Sequence, residues 1–236
     1  MVGMHGIEIA REVLREGRLG LIRHAAGQEI RRHGHEHACL HIVLRGLYIE
    51  HSGSGTVVAC PGDTVQKDPE VEHWNHFGPE GAESLRFELV EGAVHGTGEL
   101  LRSPADLQEA LRWRRTLCGG RRSTEPARVG LEPHVQLLAR LRRSFREPVS
   151  LAHEARAIGV HRSHLTRRFT HEFGCSPQAY VRYKRAAWAA EALARGGETL
   201  TEISLLAGFA DQSHCTRTFR RVFGTTPARW YRTTRA

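Results

Sequence analysis

The chain has 236 residues, 40% of them hydrophobic, and a formal charge of +8 at pH 7. It is long enough for one large domain or two small ones. No stretch approaches the roughly 20 apolar residues of a membrane-spanning helix, and the first residues lack a signal-peptide pattern, which predicts a cytoplasmic protein with no membrane partner. The five cysteines are scattered without a Cys-x-x-Cys pair, which excludes a disulfide framework and a finger-type zinc site.

The charge is divided unevenly along the chain. Residues 1–100 hold 9 Lys and Arg against 15 Asp and Glu, a net of −6, whereas residues 101–236 hold 25 against 11, a net of +14. An acidic half joined to a strongly basic half indicates two domains with two functions. The basic half favours a polyanionic partner, with nucleic acid first and an anionic membrane surface second.

The first half has the pattern of short β-strands separated by turns. Strand-length runs lie at 41–51, 55–59, 63–67 and 84–90, and the intervening segments SGSG, PGD and FGPEGAE have the composition of turns. Several short strands at this spacing are typical of a small β-barrel or sandwich. We therefore assign residues 1–100 to an N-terminal β domain.

A helix and a linker are predicted next, over residues 101–132. The segment 103–117 begins with Ser103 as a helix N-cap and Pro104 at the first helical position, and it carries an apolar stripe of leucines beside a tryptophan. Residues 118–130 are rich in Gly, Arg and Pro, as expected of a linker. The leucine stripe allows two interpretations, packing against the chain's own β domain or dimerisation.

From residue 133 onward the chain is predicted to be helical, and it contains an internal repeat. The segment HLTRRFTHEFGCSPQAYVR at 164–182 returns as HCTRTFRRVFGTTPARWYR at 214–232. Each copy carries apolar residues at i, i+4 and i+8, which is one face of a helix. A shorter predicted helix and a turn at Gly159 or Gly208 precede each copy. Helix, glycine-containing turn and basic amphipathic helix form the helix-turn-helix pattern, here present twice.

The separation of the two copies has a geometric interpretation. Residues 177–195 are rich in alanine and have no internal Gly or Pro, which predicts one continuous helix. At about 1.5 Å per residue this helix spans roughly 28 Å. Successive major-groove openings on one face of B-DNA lie about 34 Å apart. We therefore expect each copy to read one groove segment.

Residues 133–236 resemble the DNA-binding domain of the AraC/XylS family of bacterial transcription regulators. The second unit carries the signature of that family: Ile203, Gly208-Phe209, Asp211-Gln212-Ser213-His214, Thr216-Arg217, Phe219-Arg220, Phe223-Gly224 and Pro227. Two departures are Arg168, where the family usually has an apolar residue, and Cys215, which replaces a larger hydrophobe. Both lead us to expect looser packing of a recognition helix.

The resemblance implies which side chains face DNA when both recognition helices dock in adjacent major grooves. Base contacts are implied for Ser163, Thr166 and Arg167 in one groove and for Gln212, Ser213, Thr216 and Arg217 in the other. Arginine can pair with guanine and glutamine with adenine. Phosphate contacts, which add affinity without reading sequence, are implied for Arg168, Arg220 and Arg221.

The histidines of the first half suggest a sensor. Seven of the sixteen lie between residues 33 and 76, and the spacing of glycines, prolines and histidines resembles the cupin-like β-barrel sensor domain of the same family. The resemblance implies His33, His35 and His73 as metal ligands, while the position of the expected Glu ligand falls on Cys39 or Leu40.

Side chains at i and i+2 of a strand share one face, so His33 and His35 could share a cation. Three imidazoles suit zinc, copper, nickel or iron, and a thiolate at Cys39 would favour zinc or copper. Two alternatives remain open. The barrel could bind an organic effector without metal, or its histidines could be ordinary polar residues on a wet face.

These patterns predict an α+β protein of two domains, a cupin-like β-barrel and an all-α domain with two helix-turn-helix units. The predicted function is that of a one-component bacterial transcription regulator, not an enzyme, found on the nucleoid when it binds promoter DNA. A small molecule or metal would control it, and the resemblance implies a homodimer and contact with RNA polymerase. The alternatives are a cupin metalloenzyme fused to a DNA-binding domain and an architectural DNA-binding protein without ligand control.

Overall fold

The computed structural model describes residues 7–14, 17–53, 55–89, 104–118 and 130–234. Seven strands come first: β1 (Ile7–Leu14), β2 (Gly17–His24), β3 (Glu29–His33), β4 (Cys39–Ser52), β5 (Gly55–Ala59), β6 (Thr64–Lys67) and β7 (His73–Leu89). Eight helices follow: α1 (Pro104–Leu117), α2 (Pro133–Ser144), α3 (Leu151–Ile158), α4 (Arg162–Phe173), α5 (Pro177–Arg195), α6 (Leu200–Leu206), α7 (Gln212–Phe223) and α8 (Pro227–Thr234). The predicted fold class is confirmed, since an antiparallel β domain precedes an all-α domain. The predicted cap Ser103 and most of the predicted linker lie outside the described residues.

The β domain is organised around its two longest strands, β4 and β7. The sheet order is β1-β2-β7-β4-β5, with β3 also pairing with β7 and β6 with β4, and every pairing is antiparallel. The strand-length runs predicted from residue 41 onward did not include β1 to β3, although a strand was expected at His33. One prediction is wrong, because the FGPEGAE segment at 77–83 is part of β7 and not a turn.

The reason for this error is a bend that β4 and β7 share. The register between the two strands shifts at Gly46/Tyr48, opposite the glycines of β7. Gly46 and Gly81 have φ of 72° and 71°, and a Cβ on Gly46 would lie 2.0 Å from the carbonyl oxygen of Gly81. Only glycine permits such a close approach at positive φ. The glycines therefore bend two continuous strands at a place where the local sequence predicts a turn that reverses the chain direction.

The helical domain forms as its sequence predicts. Ser176 caps α5 by accepting from the backbone N–H of Ala179, and Asp211 caps α7 by accepting from that of His214 at 2.6 Å. Helices α4 and α7 both end at a left-handed glycine. Helix α5 is 19 residues long, with the predicted bounds. Cys215 and Phe219 are fully buried, and looser packing around Cys215 remains a prediction. No helix within the described residues is both long and apolar enough to span a bilayer.

Helix α1 packs inside its own chain. Leu107, Ala110 and Leu111 are buried in the core, and α1 lies against α2, β1 and β4. The leucine stripe therefore follows the first of its two interpretations, and dimerisation remains a prediction.

The β domain contacts the helical domain through the turn between β5 and β6. Asp63 in this turn accepts from Lys184 of α5 at 3.0 Å and pairs with Arg142 of α2 at 3.1 Å. Arg142 also donates to the carbonyl oxygen of Gly62 at 2.8 Å. The same turn is braced internally, since the Asp63 carboxylate accepts from the N–H of Cys60.

A second contact joins β7 and α1 to the last turn of α4. Glu83 of β7 accepts from Arg23 at 2.9 Å and from Arg114 of α1, and Arg114 also lies 3.8 Å from Glu172 of α4. The side chains of Glu83 and Glu172 are only 3% and 2% exposed. Burial acts to raise the pKa of Glu83, but hydrogen bonds and charge from Arg114 and Arg23 outweigh it and hold the pKa below 4.5.

Candidate nucleic-acid interface and histidine cluster

Helix α7 presents a basic polar face to solvent. Cys215, Phe219 and Phe223 turn inward, while the opposite face carries the predicted contact residues. Thr216 is half-buried, and the others are exposed: Gln212, Ser213, Arg217, Arg220 and Arg221. This division follows from the helical period, which puts i, i+4 and i+8 on one side.

The amide of Gln212 is oriented before any DNA arrives. Thr201 of α6 donates its hydroxyl to Oε1 of Gln212 at 2.7 Å. The contact fixes the amide and turns its NH₂ group away from Thr201. A bidentate pair with adenine uses both the oxygen and the nitrogen of glutamine. Gln212 must therefore share or release the Thr201 hydroxyl to make such a pair.

Helix α4 presents a similar face with one difference. Ser163 and Arg167 are exposed, and Thr166 and Arg168 are half-buried. The guanidinium of Arg168 lies 3.4 Å from Glu172 and 3.7 Å from Glu132. Arg168 thus forms ion pairs with acidic side chains of its own chain, whereas Arg167 is exposed on the outer face of α4.

The structure brings the three predicted histidines together. The ligand nitrogens of His33, His35 and His73 all lie within 4.8 Å of one another. His33 is the last residue of β3 and His35 lies in the loop after it, so the expectation that a strand aligns the pair is wrong. The loop achieves the same proximity, with ring centroids 5.1 Å apart.

Backbone carbonyls fix the tautomers of two of these rings. Nδ1 of His33 lies 2.8 Å from the oxygen of Arg31, and Nδ1 of His73 lies 3.0 Å from that of Val71. A carbonyl can only accept, so each Nδ1 carries the proton and each Nε2 is the acceptor. Burial and, next, the charge of Lys67 lower the pKa of His35 to about 3, so its ring is neutral. A histidine that binds a metal does so as a neutral ring, and its other ring nitrogen is held by a hydrogen bond of this kind.

Cys39 stands outside this cluster. Its side chain is buried on β4, and it is not among the residues whose donor atoms gather around a common point. Burial raises the pKa of its thiol to about 11, so the thiol is protonated near neutral pH when no metal is bound.

A buried ion pair, which the sequence reasoning missed, adjoins the histidines. Lys67 of β6 points its ammonium nitrogen at Nε2 of His73, 2.7 Å away, and at Oε2 of Glu50, 2.9 Å away. The same carboxylate oxygen accepts from Tyr48 at 2.7 Å and from Asn75 at 3.1 Å. The sequence did show Glu50 and Lys67 as charged residues within predicted strands. The structure buries both of them.

Two histidines of the cluster, His33 and His35, line a cavity of about 210 Å³ in the β domain together with Lys67. Ile22, Ile30 and Phe77 supply an apolar wall, and His41 and Arg86 supply polar groups. Nε2 of His41 and Nε of Arg86 are buried and make no hydrogen bond within the described residues. Burial lowers the pKa of His41 well below 6.5, so the ring is neutral. The volume equals about seven waters at roughly 30 Å³ each, which suits a small ligand.

The cluster could hold a metal by its donor set, but Lys67 competes for one donor. A zinc ion would lie about 2.0–2.1 Å from a histidine nitrogen. The Lys67 ammonium already uses the lone pair of His73. A metalloenzyme would need an open metal position with substrate access.

Comparisons with known proteins agree with the C-terminal assignment. Residues 155–233 match the family model described as a helix-turn-helix domain, which spans both units and the helix between them. No curated protein matches the chain in sequence.

Solved structures resemble the chain in parts. A transcriptional regulator from Chromobacterium violaceum with an AraC-type DNA-binding domain is 25% identical, with 43% of this chain and 91% of that chain covered and a TM-score of 0.41. The DNA-binding domain of the global transcriptional factor AdpA, solved with a target DNA, is 22% identical, with coverage of 44% and 94% and a TM-score of 0.42. A cupin superfamily protein from Desulfitobacterium hafniense is 14% identical, with coverage of 36% and 77% and a TM-score of 0.33.

The family-model match, the double helix-turn-helix geometry and the signature residues of the second unit define the class. The C-terminal part of the chain contains a helix-turn-helix domain.

Proposed function

We propose that the protein reads promoter DNA in a sequence-specific way through α4 and α7, and that an effector in the β-domain cavity controls this binding. One observation carries the proposal. Two recognition helices, each with an exposed polar face, flank a single 19-residue helix within one domain. The ten residues predicted to contact DNA are all exposed or half-buried.

The proposed division of roles follows the chemistry of these faces. Arg167 and Arg217 occupy equivalent positions in the two units and are both exposed, so each can reach a guanine edge. Arg220 and Arg221 lie in the last turn of α7, where they suit phosphate contacts. Because Arg168 is held by Glu132 and Glu172, its phosphate contact would require breaking ion pairs.

Support for effector control comes from the path between the cavity and the helices. Lys67 lines the cavity, and Asp63, four residues earlier, pairs with Lys184 and Arg142 of the helical domain. Strand β6 connects Lys67 to Asp63, so a ligand that displaces Lys67 would also displace Asp63 and change its contacts with α2 and α5. A ligand controls DNA binding only by its different affinities for two such arrangements.

A selection experiment tests DNA reading. The untagged protein is used to enrich sites from a random duplex library, and its affinity for the enriched site is compared with that for a scrambled site at the same salt concentration. We expect the enriched site to bind at least about 10³-fold more tightly. Equal affinity for both duplexes would identify an architectural DNA-binding protein and overturn the proposal.

A second experiment tests effector control. Small organic acids, amines and sugars are screened for a rise in melting temperature, and each hit is tested for a change in affinity for the enriched site. We expect Asp63→Asn to keep the melting shift and to lose the effect on DNA, with Asp68→Asn as the exposed control. A hit that still acts on Ile30→Trp, which fills the cavity, would contradict the cavity as effector site.

A further inference from the structure

The histidine cluster already contains a cation. The hydrogen bonds form one directed chain: His73 donates from Nδ1 to the Val71 carbonyl, its Nε2 accepts from Lys67, and Lys67 also donates to Glu50. Each donor in this chain of hydrogen bonds meets an acceptor, so the protonation states assigned to the three side chains are consistent with one another. The ammonium thus sits between an imidazole lone pair and a carboxylate, which are the two donor types a divalent metal takes from proteins.

The position of the ammonium is fixed on several sides. The side chain of Lys67 is 4% exposed, and its nitrogen lies 5.6 Å from the centre of the Tyr48 ring. The backbone of Lys67 pairs with Cys39 of β4, so the residue belongs to the sheet and not to a loop. Because a metal would have to take the same lone pair of His73, the ammonium and the metal exclude each other at this place.

The carboxylate of Glu50 lies beside one histidine of the cluster. Its Oε2 lies 4.0 Å from Nε2 of His73, across the space that the ammonium occupies. Glu50 comes from β4. It lies eleven residues after Cys39, and Cys39 is at the position where the family pattern places the carboxylate ligand. Without the lysine, the three histidines would offer three imidazole nitrogens around a common point, with the Glu50 carboxylate near His73.

We propose that the Lys67 ammonium is the resident cation of the His33, His35 and His73 cluster, and that it keeps divalent metals out of the site that these three histidines would otherwise form. The native cavity then serves an organic effector. This consequence rests on the proposed function, whereas the exclusion of metal does not.

Metal titration tests the exclusion directly. Untagged protein, freed of metal with a chelator, is titrated with Zn²⁺ against a chromogenic competitor, and with Co²⁺ to record its d–d absorption. Wild-type protein and Lys67→Met are compared, because Met has similar length and no charge. We expect Lys67→Met to bind Zn²⁺ at least about tenfold more tightly, since a positive charge a few ångströms away is removed. We also expect Lys67→Met to show a tetrahedral Co²⁺ spectrum that the wild type lacks.

Matched variants assign the result to this cluster. Adding His73→Ala to Lys67→Met should abolish the gain, because metal bound by other histidines of the chain would survive that change. Removing Lys67 alone leaves Glu50 buried without its ion-pair partner, which can prevent folding. The double variant Lys67→Met/Glu50→Gln removes both charges, and it should still bind Zn²⁺ more tightly than the wild type through three histidines.

The opposite results are equally clear. If the wild type binds Zn²⁺ as tightly as both lysine variants, and loses it with His73→Ala, Lys67 does not exclude metal and the proposal fails. If the lysine variants fold but gain no affinity, the proposal fails as well. None of these measurements involves DNA, so the specificity ratio on the enriched site tests the proposed function separately.

Discussion

The two helix-turn-helix units share a sequence pattern but have different surroundings. In the first unit, the last turn of α4 is held by Arg114, which also binds Glu83 of the β domain, and Arg168 is paired with Glu132 and Glu172. In the second unit, the arginines of α7 are exposed and form no ion pair with the residues that the structure describes. The first unit has a buried ionic contact with the β domain, whereas the second touches it without one, through α7 against β7 and through Trp230 beside His51.

This difference indicates which of the two units an effector in the β domain could control. Packing on the repeated stripe gives both units the same local structure, as Phe169 and Phe219 are each fully buried. Among the residues that the structure describes, only the first unit has a buried ionic contact with the β domain at the end of its recognition helix. We therefore expect an effector to alter the first unit and to leave the second unchanged.

The largest effect should come from the two turn glycines. Gly159 and Gly208 have φ of 81° and 87°, but a Cβ on Gly159 meets nothing within 4 Å, whereas one on Gly208 lies 2.2 Å from the carbonyl oxygen of Arg146. Gly208→Ala should lower the free energy of unfolding by more than about 4 kcal/mol. Gly159→Ala should cost only about 1–2 kcal/mol of backbone strain. Urea unfolding of both variants measures the contrast, and equal losses would refute it.

A smaller effect should separate the arginines of the two units. Arg217→Ala removes an exposed side chain at the reading position and should weaken binding to the enriched site about 10- to 100-fold. Arg168→Ala should weaken it less than about threefold, because ion pairs within the chain already engage that side chain. Fluorescence anisotropy measures both, with Arg143→Ala as an exposed control of equal charge. A larger loss from Arg168→Ala would show that Arg168 leaves its ion pairs to bind DNA.

The smallest effect concerns the ionic contact at α4. The pKa of Glu83 lies below 4.5 in the folded protein, so its stabilising contribution is complete above the unfolded pKa and is lost as pH falls through the folded value. Glu83→Gln should lower the free energy of unfolding by about 1–2 kcal/mol at pH 7. The deficit should shrink below about pH 4.5. Urea unfolding at several pH values measures this, with the exposed Glu72→Gln as control; a deficit independent of pH would contradict it.

The helical domain was predictable because its signals are local. The cap at Ser176, proline at 177 and the following alanines set the start and length of α5 without any distant contact. Glycine at 174 and 224 ends both recognition helices at the predicted places. In such a segment, residues a few positions apart determine the structure.

The β domain and its cavity were less predictable because their contacts are distant in sequence. The glycines at 78 and 81 indicate a turn locally, and only pairing with Gly46 of β4 makes them a bend. Lys67 and His73 are six residues apart, but Glu50 lies 23 residues before His73 and meets it only through the sheet. The histidines were recognisable by spacing, whereas the cation between them was not.

The most direct test of the central claim is to ask which part of the selected DNA site each unit reads. Sites are enriched separately with the wild type, Arg167→Ala and Arg217→Ala. The wild-type site should contain two elements about one helical turn, or 10–10.5 base pairs, apart. Each variant should lose preference in one element and keep it in the other. A wild-type site with a single element, or two variants that lose the same element, would contradict the account.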